Sequence, residues 1–125
     1  MSARLIFEMP LPANLGNSRM NWRVKHGMKL DYWRKLDNAV LLKNLPRPPK
    51  APWLAAHAVL AFRTYRQQDA DNSTARAKWP LDWLQSRGYI VNDRDLTIDV
   101  SSSVTNLAGQ GLTLTLEPKP RSACA

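Results

Sequence analysis

The sequence predicts a small α/β domain of the α+β kind. One mixed sheet of about four strands carries two helices, in the order β-α-β-α-β-β. Three observations predict it. The chain has 125 residues, enough for one core and too few for two. Hydrophobic residues make up 44% of it, enough to fill that core. The apolar residues also change period along the chain, from short runs and alternation to three-and-four spacing and back. Residues 1–117 are read as the single domain and 118–125 as a flexible tail.

The first strand is expected over Arg4–Glu8, around Leu5, Ile6 and Phe7, with Pro10 and Pro12 stopping it. Asn14 to Gly27 reads as a loop because Asn14, Gly16, Asn17, Ser18, Asn21 and Gly27 favour turns. A helix follows over Lys29–Asn44, where Tyr32, Leu36, Ala39, Val40 and Lys43 recur at helical spacing. Pro46, Pro48, Pro49 and Pro52 then form a stiff connector. Trp53–Arg63 is apolar nearly throughout and reads as a buried central strand.

Thr64–Ser73 is polar and is expected as a loop. A second helix lies between Thr74 and Arg87, with Gly88 suited to its C-terminal cap. Pro80 leaves two possibilities: the helix starts late, with Pro80 in its first turn, or Pro80 is interior and kinks it. Leu96–Val104 and Gly111–Glu117 both alternate, and the link Thr105–Gln110 contains Asn106 and Gly109, so the pair reads as a hairpin.

Composition narrows the function classes. Eighteen Lys and Arg against ten Asp and Glu leave a net charge of +8, which points to a polyanionic partner, nucleic acid before membrane. The single Cys124 excludes an internal disulfide and a cysteine-rich zinc site. Two histidines, His26 and His57, argue against a histidine metal cage. No window is long and apolar enough to span a membrane, and no signal-peptide pattern opens the chain, so a cytoplasmic protein is expected.

The acids are clustered. Asp69, Asp71, Asp82, Asp93, Asp95 and Asp99 are six of the ten, all within residues 69–99. Carboxylates held close together repel unless a cation joins them, and Mg²⁺ takes oxygen ligands of this kind. The plain alternative is that the Asp69–Asp71 pair is a solvated turn or a helix N-cap. Arg19, Trp22, Arg23, Lys25 and His26 form a basic stretch with an aromatic inside, suited to phosphate contact and base stacking, or simply to solubility. Arg66 and Arg76 extend the candidate DNA-binding set. Lys78 by itself reads as a solvent-facing helix lysine, and Trp79 and Trp83, four apart, as core.

The ordered set Asp69-Ala70-Asp71-Asn72, Lys78, Leu81-Asp82-Trp83-Leu84, Gly88-Tyr89-Ile90 and Asn92-Asp93 resembles the RusA-type Holliday junction resolvases. Met9-Pro10-Leu11-Pro12 and Asn21-Trp22 add a weaker match upstream. The resemblance implies a homodimeric, Mg²⁺-dependent endonuclease that cuts four-way DNA junctions, at work in a bacterial or phage-infected cell. On its motif, Asp69, Asp71 and Asp93 match the metal-binding catalytic aspartates, Lys78 the catalytic lysine, and Asp82 a structural helix residue. Three departures stand out: a short insertion after Asn72, Pro80, and Asn92 in place of an aspartate. The insertion leaves Lys78 and Arg76 both open as the catalytic cation. It also keeps two other readings in view, a DNA-binding module without catalysis and a nuclease for flaps or other branched DNA.

Overall fold

The computed structural model describes residues 4–13, 21–66, 70–92 and 96–119, the side chains of 70–75 excepted. The chain forms a single small α+β domain, with a four-stranded mixed sheet and two helices in the order β-α-β-α-β-β. The elements are β1 (Leu5–Met9), α1 (Trp22–Leu41), β2 (Ala56–Thr64), α2 (Ala70–Ser86), β3 (Leu96–Val104) and β4 (Gly111–Pro118). No helix among the described residues is long and apolar enough to cross a membrane.

The strands lie in the order β1-β4-β2-β3. β2 pairs antiparallel with β4 and parallel with β3, and β1 pairs antiparallel with β4. The expected β3–β4 hairpin is therefore not formed, because β2 lies between its two arms. Residues 105–110 instead cross over the end of β2. The Thr105 N–H donates to the Thr64 carbonyl at 2.8 Å. Asn106 caps a short 3₁₀ turn over Leu107–Gly109 by accepting from the Gly109 N–H at 2.8 Å. Arg63 secures the crossing, donating to the Gly109 carbonyl at 3.2 Å and to Thr113 Oγ1 at 2.5 Å. Alternation specifies which face a strand buries but not which strand lies beside it.

One face of the sheet makes the core. Phe7 and Met9 on β1, Ala56, Ala58, Leu60 and Phe62 on β2, and Leu112, Leu114 and Leu116 on β4 are all buried. Tyr32 and Leu36 of α1 and Ala77, Trp83 and Leu84 of α2 close over them. The intervening residues of β2, including His57 and Val59, stand on the open face. β2 is therefore central but buried on one side only, not on both as its apolar run predicts. On that open face His57 Nε2 meets Asp99 Oδ2 at 2.5 Å. The strand itself begins at Ala56. Trp53 makes only an isolated parallel bridge to Ile90.

Both helices begin earlier than expected. α1 starts at Trp22, inside the predicted loop, because Asn21 acts as N-cap and accepts from the Arg23 N–H at 2.8 Å. Trp22 and His26, one turn apart, stack with centroids 5.0 Å apart. The helix ends at Leu41, short of Asn44. Lys43 takes φ 64°, while its N–H donates to the Val40 carbonyl and that of Asn44 to the Ala39 carbonyl. This is a Schellman ending with lysine in the left-handed position that glycine usually holds. α2 starts at Ala70, so Pro80 is interior and the late start is excluded. Pro80 is buried in the core, which offsets the backbone hydrogen bond it cannot donate.

The helices are joined by a polar clamp. Asp37 of α1 accepts from Trp83 Nε1, Arg87 Nε and Arg87 Nη2, each at 2.9 Å. The Arg87 guanidinium holds the Asp37 carboxyl below its ordinary range, with the Trp83 N–H helping, while burial opposes the shift. A depressed folded-state pKa contributes stability above the unfolded pKa and loses it as pH falls through the folded value. Asp37→Asn is therefore expected to lower stability at pH 7 by roughly 1 kcal/mol, discounted for solvent screening. The deficit against wild type should shrink below about pH 4 in denaturant titrations. Separately, Lys43→Gly should raise stability by about 1 kcal/mol, some 4 °C in thermal melts, by relieving the left-handed backbone.

Candidate nucleic-acid interface and active site

The basic stretch becomes a helix face. With α1 starting at Trp22, the residues Trp22, Lys25, His26, Lys29 and Trp33 fall at intervals that share one side. Trp22 is 71% exposed, and Lys29 Nζ lies 4.6 Å from the Trp33 ring centroid. Arg23 is exposed on the adjoining side. The first turn holds no acidic residue. The positive end of the helix dipole thus carries Arg23 and Lys25 and no acidic residue of its own first turn, an arrangement suited to an approaching phosphate. Arg19 lies outside the described residues.

Lys29 is a member of this face that the loop reading, which ended its basic stretch at His26, missed. Its signal was present in the sequence as the seven-residue spacing from Trp22. It became readable only once Asn21, not Lys29, marked the helix start.

The described residues nearest in sequence to the predicted ligands divide between two ends of the sheet. Asp69 and Asp93 lie outside the described residues. Asp71 is in the first turn of α2, and its side chain lies outside them as well. Before the Asp69–Asp71 pair, the last described residue is Arg66, tied to the end of β2 by the Thr64 hydroxyl, which donates to the Arg66 carbonyl at 2.6 Å. The neighbours of Asp93 are at the other end. The Val91 N–H donates to the Trp53 carbonyl at 3.0 Å, and Leu96 pairs with Ala56. A nine-residue strand separates those ends by roughly 26 Å, at ~3.3 Å per residue.

The two candidate cations differ in setting. Arg76 is half-buried, and burial pulls its pKa below the ordinary arginine value. Lys78 is exposed and lines a groove between α2 and β3 together with Asp82. Arg66 is exposed at the end of β2. Among the described residues no three His, Cys, Asp or Glu side chains are grouped to hold a metal ion. The predicted ligand set Asp69, Asp71 and Asp93 offers carboxylate oxygens alone, the donor chemistry that Mg²⁺ takes. Neither a protein-family model nor a curated protein matches this chain.

If the α1 face binds DNA, an Arg23/Lys25/Lys29 triple alanine variant should bind a duplex or branched oligonucleotide more weakly. The slope of log K against log salt should flatten by about 0.9 for each phosphate that is no longer neutralised. Fluorescence anisotropy over a salt series measures both.

Proposed function

We propose that this chain is a Mg²⁺-dependent, structure-selective DNA endonuclease acting on branched DNA, four-way junctions first, as a homodimer in the cytoplasm of a bacterial or phage-infected cell. The observation that carries the reading is a division of charge. In a chain of net charge +8, one helix begins as a basic and aromatic face with no acidic residue in its first turn, while six of ten acids fall within residues 69–99. The first suits the phosphates of DNA arms without reading base sequence. The second suits a hard cation.

In this reading Asp69, Asp71 and Asp93 hold Mg²⁺. When bound, the ion supplies Lewis-acid chemistry at the scissile phosphate. Arg23, Lys25 and Lys29 fix the DNA arms, and Trp22 stacks on an opened base or rests against the sugar-phosphate backbone. Lys78 or Arg76 offsets the negative charge that develops on the phosphoryl oxygens in the transition state. The described neighbours of Asp71 and of Asp93 stand at opposite ends of β2, and this supports a second copy. Two chains related by a two-fold axis can bring opposite ends together where one chain cannot. The same separation favours the second reading, a DNA-binding module without catalysis.

Cleavage of synthetic four-way junctions and flaps, with and without Mg²⁺, tests the proposal. Asp71→Asn should lower the cleavage rate at least ~100-fold while junction binding stays equal or tightens, since repulsion of phosphate falls. Lys78→Ala should slow the chemical step with little loss of affinity if Lys78 is the catalytic cation. The same result for Arg76→Ala would move the role there. Mg²⁺-independent binding with no cleavage of any branched substrate would establish the module reading instead.

A further inference from the structure

We propose that the outer edge of β3 is a self-association surface, and that a second copy of this chain pairs with it antiparallel, with Val100 on the two-fold axis. This surface would seat the second copy that the nuclease reading calls for, and it rests on that reading for its purpose alone.

The edge is long and unguarded. β3 is bonded to β2 on one side and, among the described residues, to no strand on the other, over nine residues. Sheet edges are normally guarded by lysine, proline, a bulge or short length. The opposite edge, β1, is five residues long and runs directly into Pro10. β3 has no Lys, Arg, Pro or Gly anywhere from Leu96 to Val104, and its one charge is Asp99. In a chain of net charge +8, this is an edge whose own strand residues set no cation against a second copy.

Its side chains point the same way. Register with β2 sets Leu96, Ile98, Val100 and Val104 on the face that is core elsewhere in the sheet. Yet Ile98, Val100 and Val104 are 41%, 37% and 60% exposed. A groove of about 490 Å³ runs beside Ile98 and Val100, walled by Ala77, Leu81 and Gln85 of α2, with Lys78 and Asp82, opposite in sign, also lining it.

Self-pairing has one register that uses the whole strand. With Val100 opposite itself, Leu96 faces Val104, Thr97 faces Ser103, Ile98 faces Ser102 and Asp99 faces Ser101. No like charges are opposed. Helix-side residues meet helix-side residues, so the two four-stranded sheets join into one with all helices on the same face. The apolar side chains of each copy then cover those of the other across the axis. Antiparallel pairing also sets the Leu96 end of each strand against the Val104 end of its partner.

Light scattering on the full chain at micromolar concentration should give twice the protomer mass of 14.2 kDa. Val100→Lys, which places two ammonium groups on the axis, should weaken dimerisation at least tenfold. Val100→Cys in a Cys124→Ser background should form a covalent dimer on oxidation with copper–phenanthroline, because residues opposed in this way lie ~5 Å apart. Ser102→Cys alone should not cross-link, lying roughly 14 Å from its own copy, but should do so when mixed with Ile98→Cys. A monomeric wild type overturns the proposal, as does a dimer that survives Val100→Lys and resists cross-linking at Val100→Cys. A β3-linked dimer that leaves every branched DNA uncut sustains this interface and removes the nuclease reading. Junction cleavage by a dimer insensitive to Val100→Lys does the reverse.

Discussion

Strand β2 is the member on which the rest of the molecule depends. It is bonded along its length to β3 on one side and to β4 on the other. Its buried side chains, Ala56, Ala58, Leu60 and Phe62, demand cover on one face, and both helices lie there. Because β3 runs parallel to β2, the chain must return along the full strand before β3 can begin, and α2 is that return. From this single connection follow the exposed edge of β3, the groove beside it, and the separation of the two aspartate regions.

The helix layer is held by charge as well as by apolar packing. Asp37 gathers the Trp83 N–H and the Arg87 guanidinium, and Arg87 lies 5.3 Å from the Trp33 ring centroid, over a ring that Lys29 also approaches. Trp33 Nε1–H donates in turn to the Trp79 carbonyl at 3.1 Å, in the turn just before the buried Pro80. The basic face of α1 is thereby anchored to the helix that begins beside Asp71. A face tied in this way to a packed neighbour keeps its orientation when a ligand pulls on it, as the proposed DNA contact would require.

DNA binding, catalysis and self-association would each have a different physical origin in this chain. The proposed DNA binding would rest on net charge and on a basic helix start with no acid in its first turn. The proposed catalysis would rest on the chemistry of three carboxylates. Self-association rests on an edge without guards. These are separate causes, so any one of them can stand if another falls.

Much was determined by the sequence itself. Apolar periodicity sufficed for the class, the order of the six elements and the buried face of β4, because side-chain period is a local property. Charge and the aspartate cluster were equally readable. Helix starts were not, since Asn21 and Gly27 look alike as turn formers until the Asn21 side-chain oxygen is seen capping the Arg23 N–H. For Pro80 the sequence leaves a first-turn and an interior place both open, and the tertiary structure selects the interior one, where the ring is buried. Strand neighbours were decided by tertiary structure alone. β3 and β4 alternate as a hairpin would, but β2, with nine residues of pairing for one and eight for the other, inserts between them. Whether Asp71 and Asp93 share one end of a sheet is likewise a matter of strand direction. Direction depends on which partners bury the most surface together, and no local pattern encodes that.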